Sequence, residues 1–555
     1  MSINNWLYSI ARKEIWDMAA YSSARSELAD AIGLVQLDAN ENPYTPYPAT
    51  PELANANRYP DPQPKSVLNR LAMIYGVNVN QILVGRGMDE IIDLIIRVFC
   101  KPYNDSILIT PPTFGYYKVA ADISAIKVYE YHLDEDKRFA ITSEDIINNV
   151  DITTKIVFLC TPNNPTGNIV DLQVIEDVAR NLPNTLIAVD EAYIEFANIN
   201  SATCLLDKYP NILVMKTLSK AYAFAGVRVG TLIAHAEIIQ LVKKILPPYP
   251  LAEPCIRVIN QMLSPFGLDL TNSRIKELKL ERDRVYKHLI KLPFIKVYPS
   301  ESNFILVKFD DASKWYKKFL NNGIVVRNRS KDIPNTLRIS IGTPEQNNLV
   351  LKTFGIDIAT KNIQERRSLV VRKTNETEII AQVNLDKFSP IKIHTKIGFF
   401  DHMLEQLAKH GGFSLELKCD GDTHIDYHHT VEDVAIVLGE ALCNALGDKK
   451  GINRYGYSIP MDESKAEVLI DLSGRGILVY KVHYTTPMVG DFPVEMVEHF
   501  FLSLATHLKA AIHIEASGYN THHIIEGIFK AFAKALGLAI QKSNNDILPS
   551  TKGML

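Results

Sequence analysis

With 555 residues, 46% of them hydrophobic and 22% charged, the chain has the composition of an ordinary globular protein with enough apolar side chain for more than one core. Its 60 Lys+Arg against 63 Asp+Glu leave it near neutral with no long basic run, which argues against nucleic acid or an anionic membrane as a partner. Six scattered cysteines without a CxxC pair suit reduced thiols. With no signal-type apolar core near Met1 and no uncharged apolar stretch of about 18 residues, a cytoplasmic protein is expected.

Short apolar runs follow in the first half, ILVG (82–85), SILIT (106–110), KIVFLC (155–160), TLIAVD (185–190) and NILVMKT (211–217), separated by amphipathic helix-like segments. Apolar strands alternating with helices predict an α/β domain with a parallel sheet covered on both faces. The large lobe is expected over about 35–264 and a smaller lobe over about 265–355 joined by the N-terminal segment, making a domain of residues 1–358.

Its chemistry centres on Lys220 in Thr217-Leu218-Ser219-Lys220, followed by Phe224-Ala225-Gly226-Val227-Arg228. Asp190 ends an apolar run with Tyr193 three residues on, and Asn164 follows another run in Asn163-Asn164-Pro165-Thr166-Gly167. Open α/β sheets bind ligands at such strand ends. Gly85-Arg86-Gly87-Met88-Asp89-Glu90 opens the apolar run IIDLIIRVF, a helix N-terminus suited to phosphate. A lysine for a carbonyl, an aspartate for a pyridinium nitrogen, hydroxyl and amide donors for a phenolate and a phosphate cup are what pyridoxal phosphate requires.

These motifs resemble fold-type I pyridoxal-phosphate-dependent transferases. Within them, Leu37-Asp38-Ala39-Asn40-Glu41-Asn42-Pro43, Arg58-Tyr59-Pro60-Asp61, Pro112-Thr113-Phe114-Gly115, Asn303-Phe304 and Leu337-Arg338-Ile339 resemble the histidinol-phosphate aminotransferases. The resemblance implies that Lys220 carries the cofactor and moves the proton, that Asp190 holds the ring nitrogen, that Tyr193 and Asn164 bind the ring oxygen and that Phe114 stacks on the ring. Gly87, Met88, Asp89, Thr217, Ser219 and Arg228 would form the phosphate site, with Tyr59 reaching it from a neighbouring subunit of a dimer. Met88 stands where the family has a small residue. Asn42, Arg327 and Arg338 would contact substrate, Arg338 as a bidentate anion clamp.

The text then turns polar, GIDIATKNIQERRSL, and a linker is expected at 359–367. Beyond it, over 368–555, the strand candidates VNLD, SLELKCD, EVLIDLSG and ILVYKVHY predict an α+β domain built from a repeat. Asp401-His402 opens DHMLEQLAKH and Glu498-His499 opens EHFFLSLATH, and each precedes a second block, His428-His429-Thr430-Val431-Glu432 and His522-His523-Ile524-Ile525-Glu526. Residues four apart share a helix face, whereas neighbours diverge by about 100°. His428 and Glu432 can therefore grip one ion while His429 points elsewhere, and His522, Glu526 and His523 repeat the arrangement. A lone HHxxE is usually solvated surface, and it is the duplication that marks a metal centre. Imidazole with carboxylate and no thiolate favours a pair of Mn²⁺ ions over structural zinc, with iron, cobalt or zinc as substitutes.

These blocks, with Gly398-Phe399-Phe400-Asp401-His402-Met403 and Pro549-Ser550-Thr551-Lys552-Gly553, resemble imidazoleglycerol-phosphate dehydratases. The resemblance implies a duplicated, ribosomal protein S5 domain 2-like fold and a cage of about 24 identical subunits with metal sites between chains. It also implies roles in catalysis for Glu376, Glu432 and Glu526, and a phosphate clamp of Arg454, Arg475, Ser550 and Lys552. Together the two resemblances imply consecutive steps of histidine biosynthesis. Another phosphate-substrate aminotransferase or decarboxylase, or a cofactor-sensing module that has lost turnover, are the alternatives for the first half.

Overall fold

The computed structural model describes residues 3–18, 57–356, 366–456, 460–542 and 548–550. Two compact units result, Met1–Ala359 and Thr360–Leu555. Among the described residues no helix is long and apolar enough to cross a membrane.

In the first unit the apolar runs form β1 (Ile82–Gly85), β2 (Ser106–Ile109), β4 (Thr154–Cys160), β5 (Leu186–Asp190) and β6 (Ile212–Thr217), joined by β3 (Lys127–Glu130) and β7 (Gly230–Ile233). They make one seven-stranded sheet ordered β1-β7-β6-β5-β4-β2-β3. Every residue of β1, β2, β5, β6 and β7 is buried, as a sheet covered on both faces requires. The expected all-parallel sheet is corrected at one strand, because β7 runs antiparallel to both β1 and β6. Segment 218–229 is spent on turns around Lys220 and contains no helix. The chain therefore returns beside β6 in the opposite sense, since a parallel return needs a crossover of a dozen or more residues, usually helical.

Helix α1 (Gly87–Phe99) packs Ile91, Ile92, Leu94, Ile95 and Ile96 into the core, with Asp89 and Glu90 in its first turn where the helix dipole favours carboxylates. Gly230 is what lets that turn approach the sheet. A Cβ there would lie 2.3 Å from the Gly87 carbonyl carbon and 2.6 Å from the Met88 nitrogen, both backbone atoms. Gly230→Ala is accordingly expected to destabilise this unit by about 1–3 kcal/mol, read by denaturant unfolding. A stability equal to wild type would show that the turn can move. The smaller lobe is an antiparallel sheet ordered β10-β11-β9-β8, made of β8 (Ile295–Val297), β9 (Phe304–Phe309), β10 (Arg327–Asn328) and β11 (Thr336–Ser340).

The duplication of the second unit is written in its topology. Its first sheet is β12-β13-β15-β14, from β12 (Arg367–Lys373), β13 (Thr377–Asn384), β14 (Ile391–His394) and β15 (Ser414–Gly421). Its second is β16-β18-β22-β19, from β16 (Tyr455–Gly456), β18 (Ser464–Asp471), β19 (Ile477–Val482) and β22 (Ala511–Ser517), with β17 (Pro460–Met461) beside β18. In each sheet one antiparallel and one parallel pairing meet on the last strand of the repeat: β13 and β14 on β15, β18 and β19 on β22. Each repeat carries two helices, α2 (Gly398–Gly411) and α3 (His428–Leu446), then α4 (Glu495–Leu508) and α5 (Thr521–Ile540). The helices pack across the repeats, α3 on α4 and α2 on α5. Gly439 of α3 admits the backbone of Leu508, and Gly537 of α5 admits that of Gly411; a Cβ would meet those atoms at 3.0 and 2.8 Å. Of the expected linker 359–367, residues 359–365 lie outside the described residues, and Arg367 already opens β12, one residue before the expected start of the second domain.

Candidate active sites

The C-terminal ends of β4, β5 and β6 deliver Cys160, Asp190 and Thr217 to one edge of the large sheet. There they border a cavity of about 590 Å³, together with Met88, Asp89, Phe114, Asn164, Tyr193, Ser219, Lys220, Arg228, Arg327 and Arg338 from the sequence analysis. Most of the expected cofactor and substrate residues thus converge. Gly87 adjoins this wall; its φ of +82° calls for glycine, and a Cβ there would press on the Arg228 guanidinium at 2.5 Å and shift it. Tyr59 is not among the lining residues of this chain; it is exposed and stacked on Tyr249 with ring centroids 4.4 Å apart. Asn42 lies outside the described residues.

Asp190 is 2% exposed. The Tyr117 hydroxyl donates to its Oδ2 and the Ala192 N–H to its Oδ1 at 3.0 Å. Burial pushes its carboxyl up to about 6, against the Tyr117 and Ala192 hydrogen bonds, which act the other way. Burial likewise holds the Lys220 ammonium below the ordinary lysine value, reinforced by the positive charges of Arg338 and Arg228. Its Nζ stands 5.7 Å from the Tyr193 ring centre. Burial raises the Tyr193 phenol. Asn164 links the lobes of the site: its Nδ2 donates to the Tyr193 hydroxyl at 3.4 Å and its Oδ1 accepts from Arg338, whose guanidinium lies 5.0 Å from the Phe304 ring centre. By the N-terminus of α1 Arg228 donates to Asp89 at 2.9 Å, and the Thr217 hydroxyl accepts from the Ser219 N–H at 3.1 Å.

In the second unit each HHxxE block occupies the first turn of its helix. The His428 N–H donates to Asp426 at 2.8 Å and the His522 N–H to Asn520 at 2.9 Å. His428, Glu432 and His499 present ligand atoms within 4.8 Å of one another. Glu432 spans the other two, 3.8 Å from His428 Nε2 and 3.6 Å from His499 Nε2. The His499 Nε2 is buried without a hydrogen-bond partner, as a ligand atom awaiting a cation would be. In the other repeat His522 Nε2 lies 3.6 Å from Glu526. Burial pushes the Glu526 carboxyl up, but Lys530 at 2.7 Å and the charges of Lys530, His402 and His522 outweigh it and hold it below the usual range. The upstream histidine of each repeat therefore stands by the HHxxE block of the other, which follows from the cross-packing of α3 on α4 and α2 on α5.

The second histidine of each block turns away, its ring about perpendicular to the first, at 85° for His429 and 89° for His523. Asp422 meets His429 Nδ1 at 3.0 Å and Glu463 meets His523 Nδ1 at 3.0 Å. Each leaves Nε2 for a ligand, the usual carboxylate–histidine arrangement of metal sites. Glu376 is exposed, 3.8 Å from His429 Nε2. Arg454 is held by Asp471 at 2.7 Å and donates to the Pro549 carbonyl at 2.8 Å, which brings Ser550 into its neighbourhood. Arg475 is exposed in the turn after β18, and Lys552 lies outside the described residues.

The family profile "Aminotransferase class I and II" matches residues 32–354, more than half of the chain. The chain belongs to the class I and II aminotransferases. Among this aminotransferase's relatives, the histidinol-phosphate aminotransferase of Flavobacterium psychrophilum is 42% identical over 62% of the chain and 97% of the relative. That of Xanthomonas axonopodis pv. citri is 42% identical over 63% and 96%. The solved histidinol-phosphate aminotransferase of Clostridium acetobutylicum superposes with a TM-score of 0.50 at 25% identity, over 54% of this chain and 91% of that one. The first unit has the fold-type I architecture. Residues 395–536 match a second profile, "Imidazoleglycerol-phosphate dehydratase".

Four residues at these sites carry no sequence signal that singles them out. Tyr117 reaches Asp190, and Arg329 the aminotransferase cavity, through long-range packing, and Asp422 and Glu463 are loop carboxylates at unrelated positions of the two repeats. The Asp190 acid has a testable consequence. A carboxyl raised on folding contributes stability that is fully present below its unfolded value of about 4 and lost as pH rises through about 6. In cofactor-free protein, Asp190→Asn should therefore raise the unfolding midpoint of the first unit more at pH 7.5 than at pH 4, as seen by calorimetry. An equal effect at both pH values would mean that the acid ionises normally.

Proposed function

We propose that the chain catalyses two consecutive steps of histidine biosynthesis. Residues 368–555 would dehydrate imidazole glycerol phosphate to imidazole acetol phosphate, and residues 1–358 would transaminate that ketone with glutamate to L-histidinol phosphate. The carrying observation is one chain holding both a lysine-bearing aminotransferase cavity walled by arginines and a doubled histidine–carboxylate centre, the product of the second being a ketone the first can use.

The residues of the first cavity fit pyridoxal phosphate in volume and donor chemistry. That group, when bound, supplies an electron sink for the substrate α-carbon. Lys220 anchors it and carries the α-proton, and its burial beside Arg338 and Arg228 shifts it toward the free amine that both roles use. Asp190 keeps the ring nitrogen protonated, Tyr193 and Asn164 hold the ring oxygen, and Phe114 covers the ring. Gly87, Met88, Asp89, Thr217, Ser219 and Arg228 take its phosphate, with Tyr59 from a second subunit. Arg338 clamps the substrate anion, and Arg327 and Asn42 assist.

In the dehydratase half the hydrogen to be lost sits on a carbon without an adjacent carbonyl, so direct abstraction is unfavourable. The donor set of His402, His428, His429, Glu432, His499, His522, His523 and Glu526 fits divalent cations, Mn²⁺ by its nitrogen–oxygen character, and such ions supply Lewis-acid stabilisation to the substrate imidazole. His429 and His523 turn away from the clusters on their own helices, which suits ligands shared between chains of a cage-like homo-oligomer. Glu376 is the proton-transfer group, Glu432 and Glu526 support it, and Arg454, Arg475, Ser550 and Lys552 hold the phosphate. A cytoplasmic location suits both chemistries.

The test is direct. Imidazole glycerol phosphate, glutamate, Mn²⁺, pyridoxal phosphate and this protein alone should yield histidinol phosphate and 2-oxoglutarate. Accumulation of the keto phosphate, untouched with any amino donor, would refute the aminotransferase assignment.

A further inference from the structure

We propose that Asp433 is a positioning residue of the dehydratase half: it ties the β12–β13 hairpin to the histidine-bearing helix and thereby makes Glu376, rather than its repeat counterpart Glu463, the glutamate that moves the proton. The inference rests on the functional reading above and deepens it. Asp433 directly follows Glu432 on α3 and is 6% exposed. Its Oδ1 accepts from the Arg372 guanidinium and its Oδ2 from the Thr377 hydroxyl. Those two residues flank the turn that carries Glu376, Arg372 near the end of β12 and Thr377 at the start of β13.

From this tie, hydrogen bonds run on to the reacting groups. The Thr374 hydroxyl accepts from the N–H groups of Glu376 at 3.1 Å and Thr377 at 2.9 Å, which braces the turn from within. The Glu376 carbonyl accepts from the Asp422 N–H at 3.1 Å, and the Asp422 carboxylate is the one that meets His429 Nδ1. The backbone of Glu376 therefore sets two things together: its own carboxylate, 3.8 Å from His429 Nε2, and the acid behind that ring. An exposed glutamate is free to wander, and a held backbone confines it to the arc in which proton transfer can occur.

The second repeat supplies the comparison. Asp462-Glu463-Ser464 stands where the first repeat has Asn375-Glu376-Thr377: Glu463 closes the turn before β18, and Ser464 opens that strand of 8 residues as Thr377 opens the 8 of β13. At the place of Asp433, directly after Glu526, there is Gly527. The consequence shows at Ser464, whose buried hydroxyl has no partner among the described residues. Glu463 also takes the other side of its histidine, meeting Nδ1 of His523 where Glu376 approaches Nε2 of His429. Because the second repeat forms the equivalent sheet and helices without the acid, the fold does not require it. A buried carboxylate is costly unless its bonds are made, and those of Asp433 are made to the hairpin.

The test uses the full chain loaded with Mn²⁺ and pyridoxal phosphate, as wild type, Thr377→Val, Thr377→Ser and Asp433→Asn. Valine keeps the shape of Thr377 and removes its hydroxyl. It should lower kcat for dehydration by about 10–100-fold with KM for imidazole glycerol phosphate and bound Mn²⁺ within about twofold, and serine should recover most of the rate. Asparagine, which cannot serve Arg372 and Thr377 equally, should lower kcat in the same direction. Hydrogen exchange at the Glu376, Thr377 and Asp422 amides should quicken by about tenfold in the valine variant. In a Glu376→Gln background, adding Thr377→Val should cause no further loss, because the two act through one group. An undiminished kcat in the valine variant, unchanged exchange at those amides, an equal loss in the Glu376→Gln background, or a rate that falls only as Mn²⁺ is lost would show that the tie merely supports the fold and overturn the proposal. A wild-type enzyme that does not dehydrate imidazole glycerol phosphate would instead overturn the functional reading.

Discussion

Lys220→Ala is expected to lower transamination by about 10⁴-fold or more and to abolish the absorbance near about 420 nm of cofactor-loaded protein, while dehydratase turnover stays within about twofold. Among the described residues Lys220 is the only lysine lining the cavity. The nearest alternative along the chain, Lys216, sits on β6 one residue before Thr217, so strand alternation aims it at the opposite face of the sheet. There it is buried, 2.8 Å from Glu191 and 3.8 Å from Glu195, and has no route to the ligand. The dehydratase half shares none of these residues, which is why its activity serves as an internal control for folding. Transaminase turnover surviving in the alanine variant would sink the lysine assignment and leave the cavity as a binding site only.

His428→Ala is expected to cost dehydration on the order of 10³-fold and to stop the coupled reaction at its first step, while keto phosphate supplied from outside is still transaminated. His428 is one of three groups whose ligand atoms fall within 4.8 Å. Its loss leaves Glu432 with His499 alone, too few for a stably held cation. Chelation should have the same effect on dehydration and should loosen any assembly whose metal sites span chains, leaving the cofactor absorbance in place. Mixing the Lys220→Ala and His428→Ala proteins should restore the overall reaction through released intermediate. A chelated sample that dehydrates at full rate would reduce the histidine clusters to a structural role.

Runs such as ILVG and TLIAVD coincide with strands because a strand covered on both faces is mostly apolar, and in TLIAVD the acid that closes the run also closes the strand. Asp190 is therefore legible as a strand-end acid, and the large sheet as the frame that presents it. The reversed strand β7 is not legible. GTLI reads like any other apolar run, and its direction depends on how segment 218–229 is used, which is a property of the turns around Lys220.

The same division holds in the second unit. Helical periodicity by itself determines that His428 and Glu432 share a face and that His429 leaves it, because 3.6 residues per turn is local geometry. Which upstream histidine completes which block was decided only by the tertiary structure. His499 stands by His428 and His402 near Glu526 because the helices pack across the repeats, a contact between segments far apart in the chain. The carboxylates behind His429 and His523 follow the same logic. Asp422 comes from the approach to α3 and Glu463 from the turn before β18, so nothing in the repeat pattern announces that they do the same work. Local periodicity sets what a residue faces on its own element, and only packing between distant elements sets what it meets there.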